Sequence, residues 1–388
     1  MNGGAILIQQ HKKWFQGVIK VAGISLTILV LASCNQVQKI SDIFEPPTER
    51  EKYERTFDEN DTRFIAWRNA AKRALGDTLS ISLPYSEVGA FPSDFSFVYG
   101  YDTQLQNGRK LIVSVTSESD SIDAFVDIYQ FPYDLENEPL LSKDTKVSNK
   151  VEFLVEETGD YKILVQPKIG LSSDFRMDIN TEPTLIFPVV DVDTKVIQSY
   201  WGDVRAGGAR RHEGVDIFAP RLAPVVAVKE GRVSFTGERG LGGKQVWLRE
   251  GLFNSSFYYA HLDSIKVSSG QKVNVGDTLR FVGNTGNAIT TLPHRHFGIY
   301  GGNGAIDPLP FIKKEQKTTP ELKSPLPTGQ ISSALANVRE GPSLDNEKII
   351  SLKRMHPVII LGKTVNWYHV LLHNNTQGYI HHSLVTEG

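Results

Sequence analysis

Runs of branched and aromatic residues alternate with polar ones between residues 79 and 179. Alternation with a period of two puts apolar side chains on one face of a strand, and the Gly, Pro, Asn and Asp residues between the runs favour turns. The runs occupy residues 79–83, 95–99, 111–115, 125–129, 151–155 and 161–165. This pattern predicts an antiparallel β-sandwich. No cluster of acids, histidines or nucleophiles accompanies it, so we expect a spacer or binding module without catalysis.

One amphipathic helix is predicted before these strands. Phe64, Trp67 and Ala71 recur at helical spacing between Asn60, which is placed to cap the start, and Gly76, which is placed at the end. We assign residues 60–182 to an accessory domain made of this helix and the sandwich. Its segment Thr158-Gly-Asp-Tyr-Lys-Ile-Leu-Val-Gln-Pro167 resembles the closing strands of pre-peptidase domains found beside secreted peptidases.

The 388-residue chain is longer than one hydrophobic core usually allows, so two or three domains are expected. A net charge of -2 lacks the basic excess of a nucleic-acid binder, and we predict no nucleic-acid partner. Cys34 is the only cysteine, which excludes an internal disulfide. The stability of the domains must therefore come from packing.

The N-terminus has the features of an export signal. Basic residues including Lys20 precede an apolar run at 21–32, which is too short for a comfortable membrane span. The following Leu31-Ala-Ser-Cys34 resembles the bacterial lipobox, in which the cysteine becomes the first mature residue and carries acyl chains. The resemblance implies a lipoprotein signal peptide at 1–33, a lipid on Cys34 and a membrane partner, and the alternative is a non-cleaved anchor helix. The polar stretch 34–59 is predicted to be a flexible stalk.

A second polar segment, 313–329, contains several prolines and is predicted to be an extended linker. After it, short strands are expected at 336–343, 358–361, 367–370 and 378–380. In that order they resemble bacterial SH3-like domains, whose members often bind cell-wall peptides. We therefore assign residues 330–388 to an SH3-like β-barrel.

Two histidine motifs mark the middle segment, residues 183–312. A hydrolytic zinc centre needs about three ligands from His, Asp or Glu and an open position for water. His212-Glu-Gly-Val-Asp216 offers an imidazole and a carboxylate, with Gly214 permitting a tight bend between them. His294 and His296 lie two apart on a predicted strand and so share a face. Spacing alone leaves open which of these two would bind metal.

Further motifs accompany these histidines in a fixed order. They are Tyr200-Trp-Gly-Asp-Val-Arg205, Arg211-His-Glu-Gly-Val-Asp-Ile217, Ala219-Pro220, Pro224-Val-Val-Ala227, Gly231-Arg-Val, Tyr259-Ala-His-Leu262, Gly270-Gln-Lys-Val, Val275-Gly-Asp, Val282-Gly-Asn-Thr-Gly286, Pro293-His-Arg-His-Phe297 and Ile306-Asp-Pro308. This order resembles the lysostaphin-type (LytM-like) zinc metallopeptidases across the whole middle segment. The resemblance implies a central antiparallel β-sheet domain of the duplicated hybrid type.

The same resemblance assigns site residues. It implies one Zn²⁺ per chain, with His212, Asp216 and His296 as ligands and His261 and His294 as catalytic histidines that do not bind the metal. A histidine beside zinc can take a proton or stabilise a developing oxyanion, and the sequence leaves open which of the two is the base.

Some residues depart from the family pattern or receive no role. Arg295 replaces a common apolar residue, Gly298 replaces a frequent acidic one, and the loop at 287–292 replaces a run of small residues before the H-x-H motif. Glu213 is interpreted as a loop residue. The remaining histidines of the last domain lack a carboxylate at ligand spacing, and no metal is assigned to them: His356, His369, His373, His381 and His382.

These features predict a mainly β, exported and membrane-anchored zinc endopeptidase of the cell envelope, acting on peptide bonds in peptidoglycan stems or cross-links. The SH3-like domain would hold it on the wall, and other cell-wall enzymes are further expected partners. The alternatives are a non-catalytic regulator of other wall hydrolases and a wall-binding lipoprotein with a vestigial zinc site.

Overall fold

The computed structural model describes residues 47–388, apart from 92–96, 118–121, 133–138, 146–148, 252–254, 316–318 and 374. The chain divides into two compact units, residues 1–58 and 59–388. The predicted signal peptide at 1–33 and Cys34 lie outside the described residues. Among those described, no helix combines the length and apolarity that crossing a membrane requires.

A short helix, α1 (Glu49–Glu54), lies within the stretch predicted to be a flexible stalk. Thr48 caps the helix: its hydroxyl accepts from the Glu51 amide at 3.2 Å, and its own amide donates to the Glu51 carboxylate at 2.6 Å. This reciprocal arrangement is a capping box, and the Thr-x-x-Glu spacing is its signature in the sequence.

The predicted amphipathic helix is α2 (Thr62–Leu75). Its N-cap is Asp61 rather than the predicted Asn60, because the Asp61 carboxylate accepts from the Arg63 amide at 2.8 Å. Gly76 ends it as expected. The buried Trp67 donates through its indole nitrogen to the Pro167 carbonyl at 2.8 Å, which fixes the helix to the sandwich.

Two antiparallel sheets form the sandwich and enclose a shared apolar core. The strands are β1 (Tyr85–Phe91), β2 (Tyr99–Leu105), β3 (Arg109–Thr116), β4 (Ala124–Gln130), β5 (Leu141–Asp144), β6 (Lys150–Leu154), β7 (Gly159–Pro167) and β8 (Ser173–Pro183). One sheet has the order β2-β7-β4-β5 and the other contains β1-β8-β3-β6. The sandwich prediction is confirmed, although the run at 79–83 forms only an isolated bridge between Ser80 and Asp102.

The middle segment consists of two main sheets, which pack on a second apolar core, and a separate two-stranded sheet. Its strands are β9 (Ile197–Ser199), β10 (Val204–Arg205), β11 (Arg210–Arg211), β12 (Val215–Phe218), β13 (Pro224–Val226), β14 (Gly231–Glu238), β15 (Lys244–Arg249), β16 (Ser256–Ala260), β17 (Leu262–Ile265), β18 (Lys272–Val273), β19 (Thr278–Val282), β20 (His294–Gly301) and β21 (Gly304–Ile306). The larger sheet has the order β18-β14-β15-β16-β20-β12-β9 with β21 on β20, and the smaller has the order β13-β19-β17. The helix α3 (Leu309–Ile312) comes after β21.

The C-terminal strands are β22 (Thr328–Ile331), β23 (Leu335–Arg339), β24 (Lys348–Lys353), β25 (Pro357–Lys363), β26 (Trp367–Leu371), β27 (Gln377–His381) and β28 (Val385–Glu387). They surround a small core of their own. Strand β25 also pairs with β1 of the sandwich, so one 11-stranded sheet runs through both regions. Gly89 makes this approach possible, because a Cβ there would overlap the Leu361 carbonyl oxygen.

A fully buried polar network lies where these two regions meet. Glu87 accepts hydrogen bonds from the hydroxyls of Tyr85 and Tyr101, both at 2.6 Å, and from His369 Nδ1 at 3.0 Å. His369 Nε2 faces the Gln377 amide oxygen at 3.0 Å. The Gln377 amide nitrogen donates to Asp77 at 2.8 Å, which fixes the orientation of the amide. Both ring nitrogens of His369 therefore face acceptors, which is the arrangement of an imidazolium paired with a carboxylate.

His369 was expected to be a solvated or packed histidine without a carboxylate at ligand spacing, and it is packed in the interior. The structure gives it a carboxylate partner from a residue 282 positions earlier in the chain. The partner comes from the accessory sandwich, and local spacing carries no information about a contact between distant regions.

Candidate metal centre

Asp216 and His296 lie on adjacent central strands of the larger sheet, β12 and β20, and are direct cross-strand partners. Their neighbours Val215, Ile217 and Phe297 are completely buried in the core beneath the sheet. Because side chains alternate along a strand, Asp216 and His296 project from the opposite face. This alternation fixes the two side chains beside each other.

His212 reaches the same point from the loop before β12. Its Nε2 atom lies 3.1 Å from Asp216 Oδ1 and 2.9 Å from His296 Nδ1, and these last two atoms are 3.0 Å apart. Four-coordinate zinc with bonds of about 2.0–2.2 Å separates its ligand atoms by about 3.3–3.6 Å. An outward shift of a few tenths of an ångström would make the triangle fit such an ion and leave its fourth position for water. Among the described residues this is the one such cluster of three potential ligands.

The ligand-facing atoms of His212 and Asp216 are selected by their other contacts. His212 Nδ1 donates to the Tyr200 carbonyl at 2.8 Å, so Nε2 carries the lone pair that faces the cluster. Arg205 donates to Asp216 Oδ2 at 3.0 Å and leaves Oδ1 for the cluster. Arg205 also contacts the hydroxyl of Ser199. Arg205 stands in a motif that the sequence singled out, but its distance from Asp216 is a property of the fold.

Burial and hydrogen bonding act in opposite directions on Asp216. Burial would raise the pKa of this carboxyl group, but its close interactions with the rings of His212 and His296 outweigh burial and lower the pKa well below its usual value. Burial also lowers the pKa of His296. Both changes favour an ionised carboxylate beside a neutral imidazole, which are the protonation states of metal ligands.

His261 and His294 lie together next to the cluster but outside it. Their ring centroids are 5.0 Å apart, and the His261 ring is 6.1 Å from that of His296. His261 Nδ1 donates to the Thr285 carbonyl and His294 Nδ1 donates to the Leu292 carbonyl, both at 2.9 Å. Each ring is therefore oriented with Nε2 as its basic nitrogen.

The environment of His261 keeps it neutral. Burial, reinforced by the nearby His294, lowers the pKa of His261 to about 4. His261 also adopts a φ of 56°, a left-handed conformation that is uncommon for a residue with a Cβ. Such strain is characteristic of functional sites.

Gly214 lies in a bend, as predicted, and is also required by space. A Cβ at this position would overlap the Phe297 carbonyl oxygen and lie 2.7 Å from His296 Cε1. The residue therefore has a steric role in addition to the predicted bend: glycine lets the loop that carries His212 pass close to the ring of His296.

The residues that depart from the family pattern lie outside the cluster. Arg295 is fully buried on the core side of β20, with its guanidinium 4.0 Å from the ring centroid of Tyr259. Burial lowers the pKa of Arg295 to about 9. Ile289 and Leu292, in the loop before His294, are each 72% exposed and add apolar surface near the site.

Comparison with known proteins identifies two parts of the chain. The model of peptidase family M23 matches residues 210–308, which contain the whole cluster and both further histidines. The chain carries an M23 peptidase domain. A bacterial SH3 domain matches residues 333–386. M23 peptidases are generally zinc-dependent, in agreement with the His-Asp-His arrangement.

Three similar proteins illustrate the range of roles around this domain. The L-Ala–D-Glu endopeptidase of Bacillus subtilis is 36% identical over 30% of this chain and 39% of its own length. The uncharacterized lipoprotein YgeR of Escherichia coli is 34% identical over 30% of this chain and 44% of its length. The murein hydrolase activator NlpD of Salmonella typhimurium is 30% identical over 31% of this chain and 30% of its length. The chain thus spans less than half the length of each of these relatives.

Proposed function

We propose that the protein is an exported zinc endopeptidase that hydrolyses peptide bonds in peptidoglycan stems or cross-links. The observation that carries this proposal is the convergence of His212 Nε2, Asp216 Oδ1 and His296 Nδ1 within 3.1 Å of one another. Two further histidines lie beside them, and their Nε2 atoms have no hydrogen-bond partner among the described residues. The substrate class is supported by the M23 domain, the SH3 domain and the endopeptidase relative.

His212, Asp216 and His296 would hold one zinc ion per chain. When bound, zinc polarises the scissile carbonyl and makes water acidic enough to react near neutral pH. His261 and His294, each with Nδ1–H bound to a backbone carbonyl, present only a lone pair at Nε2. Either ring can accept the proton released by water, and the protonated ring can then donate it to the departing amine. Which of them is the base stays open.

The domain arrangement that we propose has an accessory domain at 60–182, the peptidase domain at 183–312, a linker at 313–329 and an SH3-like domain at 330–388. A lipid on Cys34, after a signal peptide at 1–33 and before a stalk at 34–59, would tether the enzyme to a membrane of the cell envelope. The lipoprotein relative supports this placement. Labelling cells with a radioactive or clickable fatty acid, with Cys34→Ala as control, tests it.

The enzyme proposal is tested by incubating purified protein with peptidoglycan under three conditions: with zinc, with a chelator, and after zinc is restored. We expect release of free amino groups only in the first and third conditions. His212→Ala should abolish release, whereas His373→Ala, which removes an exposed histidine of the C-terminal region, should not. Absence of release at every zinc concentration would contradict the enzyme proposal.

A second candidate function is activation of another wall hydrolase without catalysis, which the NlpD relative favours. In that case the protein would increase the activity of a co-purified amidase or glycosidase, and His212→Ala would leave the increase unchanged. The complete set of histidines around the cluster supports the peptidase as the first candidate.

A further inference from the structure

Three aromatic rings continue the surface that bears the metal cluster. His296, Gly298 and Tyr300 alternate along β20 and so share one face of the sheet. Tyr258 on β16 is paired with Gly298, and Trp247 on β15 is paired with Tyr258. The row formed by Gly298, Tyr258 and Trp247 lies about 7 Å along the strands from His296, a distance equal to two residues of an extended chain.

These rings form one half-buried cluster with accessible surface. The ring centroids of Trp247 and Tyr258 are 4.5 Å apart, and those of Trp247 and Tyr300 are 5.1 Å apart. Tyr258 also lies 5.6 Å from His296, so the cluster begins beside the ligand ring. Gly298 leaves space between the tyrosines, because a Cβ there would be 3.0 Å from Tyr300 Cε2.

A carboxylate stands at the edge of this cluster. Glu213, which comes directly after His212 in the loop, accepts a hydrogen bond from the Tyr300 hydroxyl at 3.1 Å and is exposed. No cation pairs with it among the residues that the structure describes. A carboxylate beside partly exposed aromatic rings is a combination that attracts an organic ammonium group, through charge and through the ring quadrupoles.

We propose that Trp247, Tyr258, Tyr300 and Glu213 form a subsite for a substrate residue that bears a primary ammonium side chain, one or two positions from the scissile bond. The aromatic faces would contact the methylene stem and Glu213 would face the charged end. This inference rests on the proposed peptidase function and deepens it, since it names the side-chain chemistry that the enzyme selects.

The test compares the binding of two N-acetylated, C-amidated tripeptides, Ala-Lys-Ala and its counterpart with an acetylated lysine side chain. Calorimetric titration uses the zinc-loaded full-length protein, the variant Glu213→Gln and the control Glu230→Gln, which changes an exposed glutamate of the same domain. A cation–π contact and an exposed ion pair together correspond to about a tenfold preference for the free amine. We expect this preference in the wild type and in Glu230→Gln, and its reduction to about twofold or less in Glu213→Gln.

The variant Trp247→Leu tests the aromatic part of the subsite independently, because it removes an aromatic ring but keeps an apolar side chain. It should weaken binding of the amine peptide severalfold more than binding of the acetylated one. Equal binding of the two peptides by the wild type, or an unchanged preference in Glu213→Gln, would overturn the proposal. Binding is measured separately from hydrolysis. A preference for the amine peptide without cleavage of peptidoglycan would therefore refute the proposed peptidase activity but support the proposed subsite.

Discussion

Replacing Glu87 by glutamine should loosen the junction between the sandwich and the C-terminal strands. The carboxylate is completely buried and is the partner of His369, whose two ring nitrogens both face acceptors. In Glu87→Gln the two tyrosine hydroxyls keep an oxygen acceptor, but the new amide N–H faces the ring N–H of His369. Removing one partner of a buried ion pair typically costs about 3–5 kcal/mol, because the remaining charge has no compensation.

Hydrogen–deuterium exchange of β25 and β26 measures this loss where it occurs. A loss of about 3–5 kcal/mol corresponds to exchange faster by roughly two to four powers of ten, if these amides exchange through opening of the junction. The matched control is Glu152→Gln, which removes an exposed carboxylate paired with Lys110 and Lys150. Exposed pairs contribute under about 1 kcal/mol, so this control should change exchange by less than about fivefold.

The double variant Glu87→Gln/His369→Gln completes the cycle. It should be less destabilised than the sum of the single variants, by roughly 1–3 kcal/mol, since the two side chains are in contact. Additive effects, or exchange in Glu87→Gln within fivefold of the wild type, would refute the buried ion pair.

The same pair predicts a pH dependence of unfolding. Burial alone would raise the pKa of Glu87, but the charge of His369 and the hydrogen bonds from His369, Tyr101 and Tyr85 hold it below its ordinary value of 4.5. A depressed pKa means that the contribution is fully present above about pH 4.5 and is lost as the pH falls through the folded-state pKa. The titratable groups facing this region are His369, Tyr85, Tyr99, Tyr101 and Tyr379, with Asp77 beyond Gln377. Urea midpoints from pH 3 to 7 should therefore show the wild-type advantage over Glu87→Gln shrinking only at the acidic end.

Three further changes are predicted. Gly214→Ala should displace the His296 ring and lower zinc occupancy at least tenfold by metal analysis, whereas Gly302→Ala, with open space around it, should not. Arg205→Gln should weaken zinc affinity about 10–100-fold in a chelator competition, with partial recovery in Arg205→Lys; equal affinities would show that Asp216 needs no such support. Arg109→Gln should remove the hydrogen bonds to the carbonyls of Pro310 and Lys313 and speed proteolysis after Lys313, and unchanged cleavage would contradict that anchoring role.

The sequence predicted most of the features that depend on local pattern. Period-two alternation identified strands such as β3, β4 and β7, and the ordered histidine motifs identified the residues that the fold brings together. The strand β1 was missed because Tyr85–Phe91 contains Ser86, Glu87 and Gly89, which lower its apparent strand character. Glu87 is polar because it accepts hydrogen bonds from Tyr85, Tyr101 and His369, which only the folded structure brings together.

The sequence could not predict which residues come into contact when the contact depends on the pairing of distant strands. H-x-H spacing could not distinguish His294 from His296, and the register of β12 against β20 places His296 beside Asp216. The predicted roles of His212, Asp216 and His296 as ligands, and of His261 and His294 in catalysis, stay predictions until metal content and activity are measured. Arg205 and the aromatic rings near Glu213 were not assigned because their significance arises from contacts across several strands.

The two ends of the middle segment are neighbours: the Leu185 amide donates to the Phe311 carbonyl at 2.9 Å. The pairing of β1 with β25 meanwhile joins the sandwich on the N-terminal side of this segment to the barrel strands on its C-terminal side. The middle segment is therefore attached like an inserted domain. Its first and last residues lie side by side, and the regions before and after it in the chain are joined to each other through one sheet. Replacing the middle segment by a homologous domain, with junctions at residues 184 and 313, should therefore leave the pairing of β1 with β25 intact.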